Sequence, residues 1–273
     1  MRAALLGVEV LLLLWLEGRR PLRRRVEPWP RRAARNAAIV GLAGVTVQLF
    51  DRPVISRLSA WVERRRWGLV PALGLPRTLE LPATLALLDY TLYLWHVANH
   101  RVPALWRFHQ VHHVDLDLDV TTAVRFHPGE LLLSVGLRAA QVLAIGVTPR
   151  ALAVWQPALL ASVLFHHGAV ALPPWLDRAL ARFVPTPRLH TIHHSMIQGE
   201  TDSNWSSAFT TLWDHLHGTF RYDDVPQEAI RIGVPAFPAP VPLGEALALP
   251  FGPQRASWSP PVGVPVRSRE MIT

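Results

Sequence analysis

Histidines recur here at spacings that suit metal ligation. Three clusters carry them: His96-Val-Ala-Asn-His100, His109-Gln-Val-His112-His113 and His190-Thr-Ile-His193-His194. On a helix, positions three and four apart share a face, so each cluster aims two or three imidazoles in one direction. Neutral imidazole ligates iron, zinc, copper and nickel. Eight such side chains exceed what one ion can use, which predicts two ions. His166 and His167 end an apolar run and offer a further ligand. A lone histidine would read as an ordinary core or polar residue. That reading fails here because the spacing recurs, and crowded imidazoles would repel one another once protonated. All 13 histidines fall between His96 and His217.

The elements that must position these groups are apolar. Runs at 3–16, 37–50, 79–95, 131–147 and 151–165 are separated by polar or arginine-rich stretches. The first two are shorter than the ~20 residues of a comfortable membrane span, so tilt, extension into their flanks or a shallow hairpin all remain open. The first run is followed by Arg19, Arg20, Arg23, Arg24 and Arg25 and by no small-residue cleavage site, which predicts a retained anchor. Residues 51–78, with Trp61 and Trp67 flanking Arg64, Arg65 and Arg66, read as an interfacial segment. One span delivers the chain to His96, and a pair broken at Thr148-Pro149-Arg150 leaves and returns at His166. Every histidine then lies on one membrane face. The arginine loop shares that face if 37–50 crosses fully, which makes it cytoplasmic. The expected fold is all-α: an integral membrane protein with about four transmembrane or re-entrant helices and a cytoplasmic helical cap that carries the dimetal site. The expected divisions are an anchor and interfacial segment at 1–78, a catalytic region at 79–220 and a proline-rich tail at 221–273. The tail is expected to pack on the surface or stay partly disordered.

Composition narrows the chemistry. Half of the residues are hydrophobic while the net charge is +8, a conflict resolved by a bilayer with arginines at its headgroups. No basic–aromatic platform or helix-turn-helix pattern supports a nucleic-acid partner. Cysteine is absent, which excludes disulfides, cysteine zinc sites, haem-thiolate and iron–sulfur clusters. No Rossmann fingerprint, phosphate loop or Ser–His–Asp arrangement is present, so electrons would come from a separate redox protein.

Several residues near the clusters are candidates for support. Asp119 is the preferred carboxylate to receive a ligand histidine's second N–H, with Asp115 and Asp117 equally readable as a solvated loop. His127 is either a ligand or a supporting group. Asn204 and Asp214 read as partners of the ligands or as caps, and His215 and His217 as structural. Asp89 lies inside an apolar run, where an acid is costly unless paired; it could hydrogen-bond a ligand from beneath.

The order HxxxH, HxxHH, hydrophobic hairpin, HxxHH resembles the fatty acid hydroxylase/sterol desaturase superfamily. Supporting stretches are Trp106-Arg107-Phe108, Asp119 to Pro128, Glu200-Thr201-Asp202-Ser203-Asn204-Trp205, and Trp213-Asp214 before Gly218-Thr219-Phe220. The resemblance implies a non-haem centre of two iron ions, which zinc could occupy in purified protein. That centre would activate O2 on the cytoplasmic side to hydroxylate a lipid-like substrate. The implied ligands are His96, His100, His109, His112, His113, His166, His190, His193 and His194, with His167 supporting. Some members carry another histidine four residues before the His166 position, where this chain has Ser162. The tenth place falls to water, His127 or His167. A bacterial inner membrane is the implied location. A desaturase is the alternative with the same centre. A zinc hydrolase lacks its HExxH, and a metal transporter would place ligands mid-membrane.

Overall fold

The structure is a computed structural model and describes residues 2–224 and 226–259; the part of the tail beyond 259 lies outside them. Among the described residues the architecture is all-helical. Extended pairing is confined to two isolated bridges, Pro21 with Val170 and Ser195 with Ile232.

Five helices form the frame: α1 (Arg2–Arg19), α2 (Trp29–Thr46), α3 (Arg52–Arg65), a short α4 (Leu69–Ala72) and α5 (Arg77–Arg101). Next come α6 (Pro103–His113), α7 (Pro128–Gln141) and α8 (Pro149–His167). Five shorter helices follow: α9 (Pro174–Ala181), α10 (Pro187–His193), α11 (Gln198–Thr201), α12 (Leu212–His217) and α13 (Leu243–Ala248). Prolines set several of these boundaries, since Pro suits the first helical turn and cannot donate further in. Pro53 has no N–H to give to the preceding turn. The Val47–Asp51 segment there adopts a π turn, with Arg52 N–H reaching Val47 O, so α2 runs on into α3.

Two helical stretches, Trp29–Ala72 and Pro128–Gly146, are long and apolar enough to cross a membrane. Their large apolar side chains, including Leu42, Val45, Leu49, Leu132 and Leu133, point outward. The α1 helix does the same with Leu5, Leu11 and Trp15, while its Leu13 packs against Leu164 of α8 and against Val120 and Ala123. An inner cluster of Ile55, Val62, Leu88, Val142, Ile145 and Trp155 joins α3, α5, α8 and the π turn Val142–Gly146 after α7.

The tail is more integrated than its prolines suggest. Val234, Ala236, Phe237, Val241 and Ala246 are buried against Ile39 of α2 and Val111 of α6. Proline prevents a long helix there, but the intervening apolar side chains still leave water.

A close backbone approach links the α3–α4 turn to the π turn Val142–Gly146 that follows α7. Gly68 and Gly146 both have positive φ, +108° and +91°, and a Cβ on Gly68 would lie 2.4 Å from Gly146 Cα. A side chain at either position meets backbone and a strained φ together. Gly146→Ala should therefore lower stability by about 2–3 kcal/mol, read as thermal unfolding in detergent. Gly136→Ala, with nothing within 4 Å of its added Cβ, should be neutral or stabilising.

Candidate metal centre

Four elements deliver the histidines to one place. The last turns of α5 present His96 and His100 on one face. Val102 takes an extended conformation and Pro103 starts α6 at once, so the chain turns a corner and brings His109, His112 and His113 alongside. The end of α8 supplies His166 and His167, and α10 supplies His190 and His193 with His194 at its C-cap. Thr186 caps α10 by accepting the Leu189 N–H.

Two groups result. His96, His100, His113 and His193 form one; His112, His167, His190 and His194 form the other. Within each group one ring nitrogen per residue lies within 4.8 Å of all the others. In the second group the Nε2 atoms of His167 and His112 are 3.1 Å apart, those of His190 and His167 3.0 Å, and those of His194 and His190 3.1 Å. Roughly 3 Å is the spacing of neighbouring ligand nitrogens around an ion held at about 2.1 Å. The groups abut, for the His113 and His194 rings stack with centroids 4.2 Å apart. Consecutive residues on a helix point about 100° apart, so the His112-His113 and His193-His194 doublets each contribute one member to either group, while of the His166-His167 doublet only His167 joins one.

Backbone and carboxylate partners set the tautomers. His96 Nδ1 donates to the Trp205 carbonyl at 2.7 Å, His193 Nδ1 to the Ser203 carbonyl at 2.9 Å, and His167 Nδ1 to the Val163 carbonyl at 2.8 Å. His109 Nδ1 donates to Glu130 Oε1 at 2.8 Å. With the proton on Nδ1, Nε2 keeps a lone pair for a metal. The Nε2 atoms of His109, His113 and His193 are buried and have no partner among the described residues. Burial, reinforced by neighbouring imidazoles, holds His112, His113, His190 and His194 well below the ordinary histidine value, and burial takes His193 down to about 3. These rings are neutral at pH 7. A set of neutral, converging and otherwise unsatisfied nitrogens fits a pair of transition-metal ions.

The remaining candidates take varied places. His166 is fully buried, its ring 4.2 Å from that of His190, and neither of its nitrogens has a partner among the described residues. His127 caps α7, accepting Gly129 N–H at Nδ1 and donating from Nε2 to the Leu247 carbonyl. Asp119 and Asp115 engage the buried Arg32, at 2.5 Å and 2.8 Å. Asp89 accepts from Phe209 N and Trp213 Nε1. Asn204 has φ +54°, which asparagine tolerates, and it ties Leu189 to Arg221. Asp214 accepts Trp205 N at 2.8 Å and Ser206 N at 3.0 Å. Asn204 and Asp214 thus fix the segment whose carbonyls at Ser203 and Trp205 orient His193 and His96. His215 stacks on Phe220, and His217 on Tyr93.

Glu130 escapes a reading of the sequence. It lies in the first turn of α7, 21 residues from His109, and only an acid just after His127-Pro128 hints at it. Glu130→Gln should reduce retention of bound metal roughly 10–100-fold, measured by competition with a chelator. Glu245→Gln, exposed on α13, should leave it unchanged.

Residues 81–219 match the family described as fatty acid hydroxylase. The chain is similar to an ornithine lipid hydroxylase of Rhizobium tropici, 31% identical over 53% of this chain and 43% of the relative. It is similar to a cholesterol 25-hydroxylase-like protein of Danio rerio, 30% identical over 60% of this chain and 64% of the relative. It also resembles the sphingolipid C4-hydroxylase sur2 of Schizosaccharomyces pombe, 26% identical over 49% of this chain and 45% of the relative. The matches thus span less than two thirds of each relative. No solved structure matches. The match covers half of the chain and contains all the histidines gathered in the two groups, so this chain belongs to the fatty acid hydroxylase family.

Proposed function

We propose that this chain is a membrane oxygenase that hydroxylates a C–H bond of a lipid, using two iron ions held by its histidines. The observation that carries the reading is the pair of four-histidine groups joined by the His112-His113 and His193-His194 doublets. The relatives named as hydroxylases of ornithine lipid and sphingolipid support a lipid as the substrate class.

The nine histidines expected as ligands, His96, His100, His109, His112, His113, His166, His190, His193 and His194, would hold the pair. One ion would draw on His96, His100, His113 and His193, and the other on His112, His190 and His194. His109 is braced by Glu130. A further place beside the second ion is contested. The family motif assigns it to His166, whereas the short Nε2 separations favour His167.

Iron, when bound, supplies the O2 and one-electron chemistry that no side chain here offers. The chain's own contribution is arrangement. Carbonyls and Glu130 keep the N–H on Nδ1 and so present lone pairs inward. Packing by Trp205, 1% exposed, keeps water from the rings. The overall change converts a C–H bond and O2 into an alcohol and water, and consumes two electrons and two protons from a separate donor. In this reading about four helices span or enter the bilayer and the 79–220 region carries the chemistry. The centre faces the cytoplasm of a bacterial inner membrane, and the lipid reaches it from the side.

The test is metal content with hydroxylated lipid product, measured together on iron-loaded protein. His113→Ala and His193→Ala should each lose metal and product, while His215→Ala should keep both. Zinc-loaded protein should fold but not turn over. His167→Ala should lose more metal than His166→Ala if the short separations reflect ligation; the reverse result restores the motif's assignment. A His193→Ala variant that retains two ions and full activity would overturn the proposal.

Topology has its own readout, since the chain lacks native cysteine. Cysteines at the exposed positions Arg24 and Gln198 should label from the cytoplasmic side, and one at Arg150 from the opposite side. Labelling of all three from one side would remove the spanning arrangement.

A further inference from the structure

Two cavities of about 310 and 510 Å³ adjoin each other at the end of α1 and share Arg23, Arg24, Arg25 and Glu228 in their walls. They are apart from the histidine groups. Their floor includes Leu116, Met196 and Ala169, in the backbone that follows the histidine-bearing segments.

The acids near this cleft are largely occupied elsewhere. Both oxygens of Asp117 accept backbone N–H groups from Val26 and Glu27. Asp119 is engaged by Arg32, and Glu17 Oε1 accepts from Val120 and Ala169, while Glu17 Oε2 is buried without a partner among the described residues. Glu228 is exposed on the rim and offsets part of the positive charge. Arg23 spends Nη2 on the Ile230 carbonyl at 2.8 Å, while its Nε and Nη1 are buried and meet no acceptor among the described residues. Burial takes Arg23 down to about 10, against the opposing pull of Asp117 and Glu228. A buried guanidinium with two free donors is costly unless an anion meets it, and its planar fork matches a phosphate.

Position narrows the anion's source. The outward stripe of α1, with Leu5, Leu11, Leu12 and Trp15, lies on the helix whose C-terminal end, Glu17 and Gly18, lines the cleft. Arg19 lies over Trp15, 5.5 Å from the ring centre, a pairing that suits the headgroup layer. A lipid lying with its tails along α1 would bring its headgroup to the end of that helix, where Arg23, Arg24 and Arg25 line the cleft.

We propose that this cleft binds the phosphate of an anionic phospholipid headgroup through Arg23, with Arg24 and Arg25 at its mouth. The inference rests on the membrane setting proposed above but needs neither metal nor turnover.

The test uses the full chain in detergent and follows intact complexes by native mass spectrometry. Phosphatidylglycerol should bind and phosphatidylcholine should bind much more weakly. Arg23→Gln should weaken phosphatidylglycerol roughly tenfold, the scale of one charge-assisted hydrogen bond, and Arg23→Lys less. Arg24→Gln with Arg25→Gln, both exposed, should weaken it without loss of melting temperature. Arg57→Gln, exposed on α3, should change nothing. Equal binding of both lipids, or indifference to the Arg23 and Arg24/Arg25 variants, overturns the proposal. So does displacement of phosphatidylglycerol by equimolar inorganic phosphate, which would make this a free-phosphate site. Arg23-dependent binding of polyglutamate without lipid would make it a protein dock and equally overturn it. Metal content and product are measured on the same samples. Loss of lipid selectivity with both retained sinks this inference alone; their absence in wild type sinks the oxygenase reading alone.

Discussion

The structure depends on keeping many imidazoles neutral, dry and pointed inward in one small volume. A single protonation among touching rings would place a charge beside others in a low-dielectric interior. Burial opposes that protonation, and carbonyls at Trp205, Ser203 and Val163 take up the Nδ1 hydrogens. The helices serve the same end. The abrupt α5–α6 corner and the packing of α10 on α8 help bring rings from four segments together.

A second polar system lies behind the first. Arg32, 1% exposed, reaches from α2 to Asp115 and Asp119, and also touches Thr122 and the Asp117 carbonyl. Asn36 adds a bond to Asp115. Burial alone would raise Asp115, yet the guanidiniums of Arg32 and Arg125 hold it down at about 2. Arg125, fully buried, donates to the Val111 carbonyl in the last turns of α6. The loop after His113 is therefore fastened to an N-terminal helix well outside the 81–219 match. Removing one partner of such a network would strand buried charge.

The histidine clusters were legible because their spacing is local. Residues three and four apart on a helix need no tertiary knowledge to be placed on one face. The all-helical class and the apolar runs were legible for the same reason. Partners across sequence were not. Glu130 meets His109 across a corner and a loop, and Trp205 meets His96 from 109 residues away. Asp119 looked suited to a histidine, but sequence gave no sign that Arg32 lay nearer. The 166–167 doublet was ambiguous because the rotation of the α8 terminus decides which ring turns inward. Proline concealed the tail's role, since burial of Val234 and Val241 follows from docking on α6 and α2 and leaves no helical period.

The doublets carry a consequence for evolution within this architecture. His112 with His113, and His193 with His194, each straddle the two groups through a single peptide unit. The gap between the half-sites is thereby a covalent dimension, insensitive to side-chain drift. Lengthening a loop or swapping a lining residue can reshape what approaches the centre without stretching the centre itself. Change in what approaches the centre and preservation of the spacing between the two histidine groups are thus uncoupled in this scaffold.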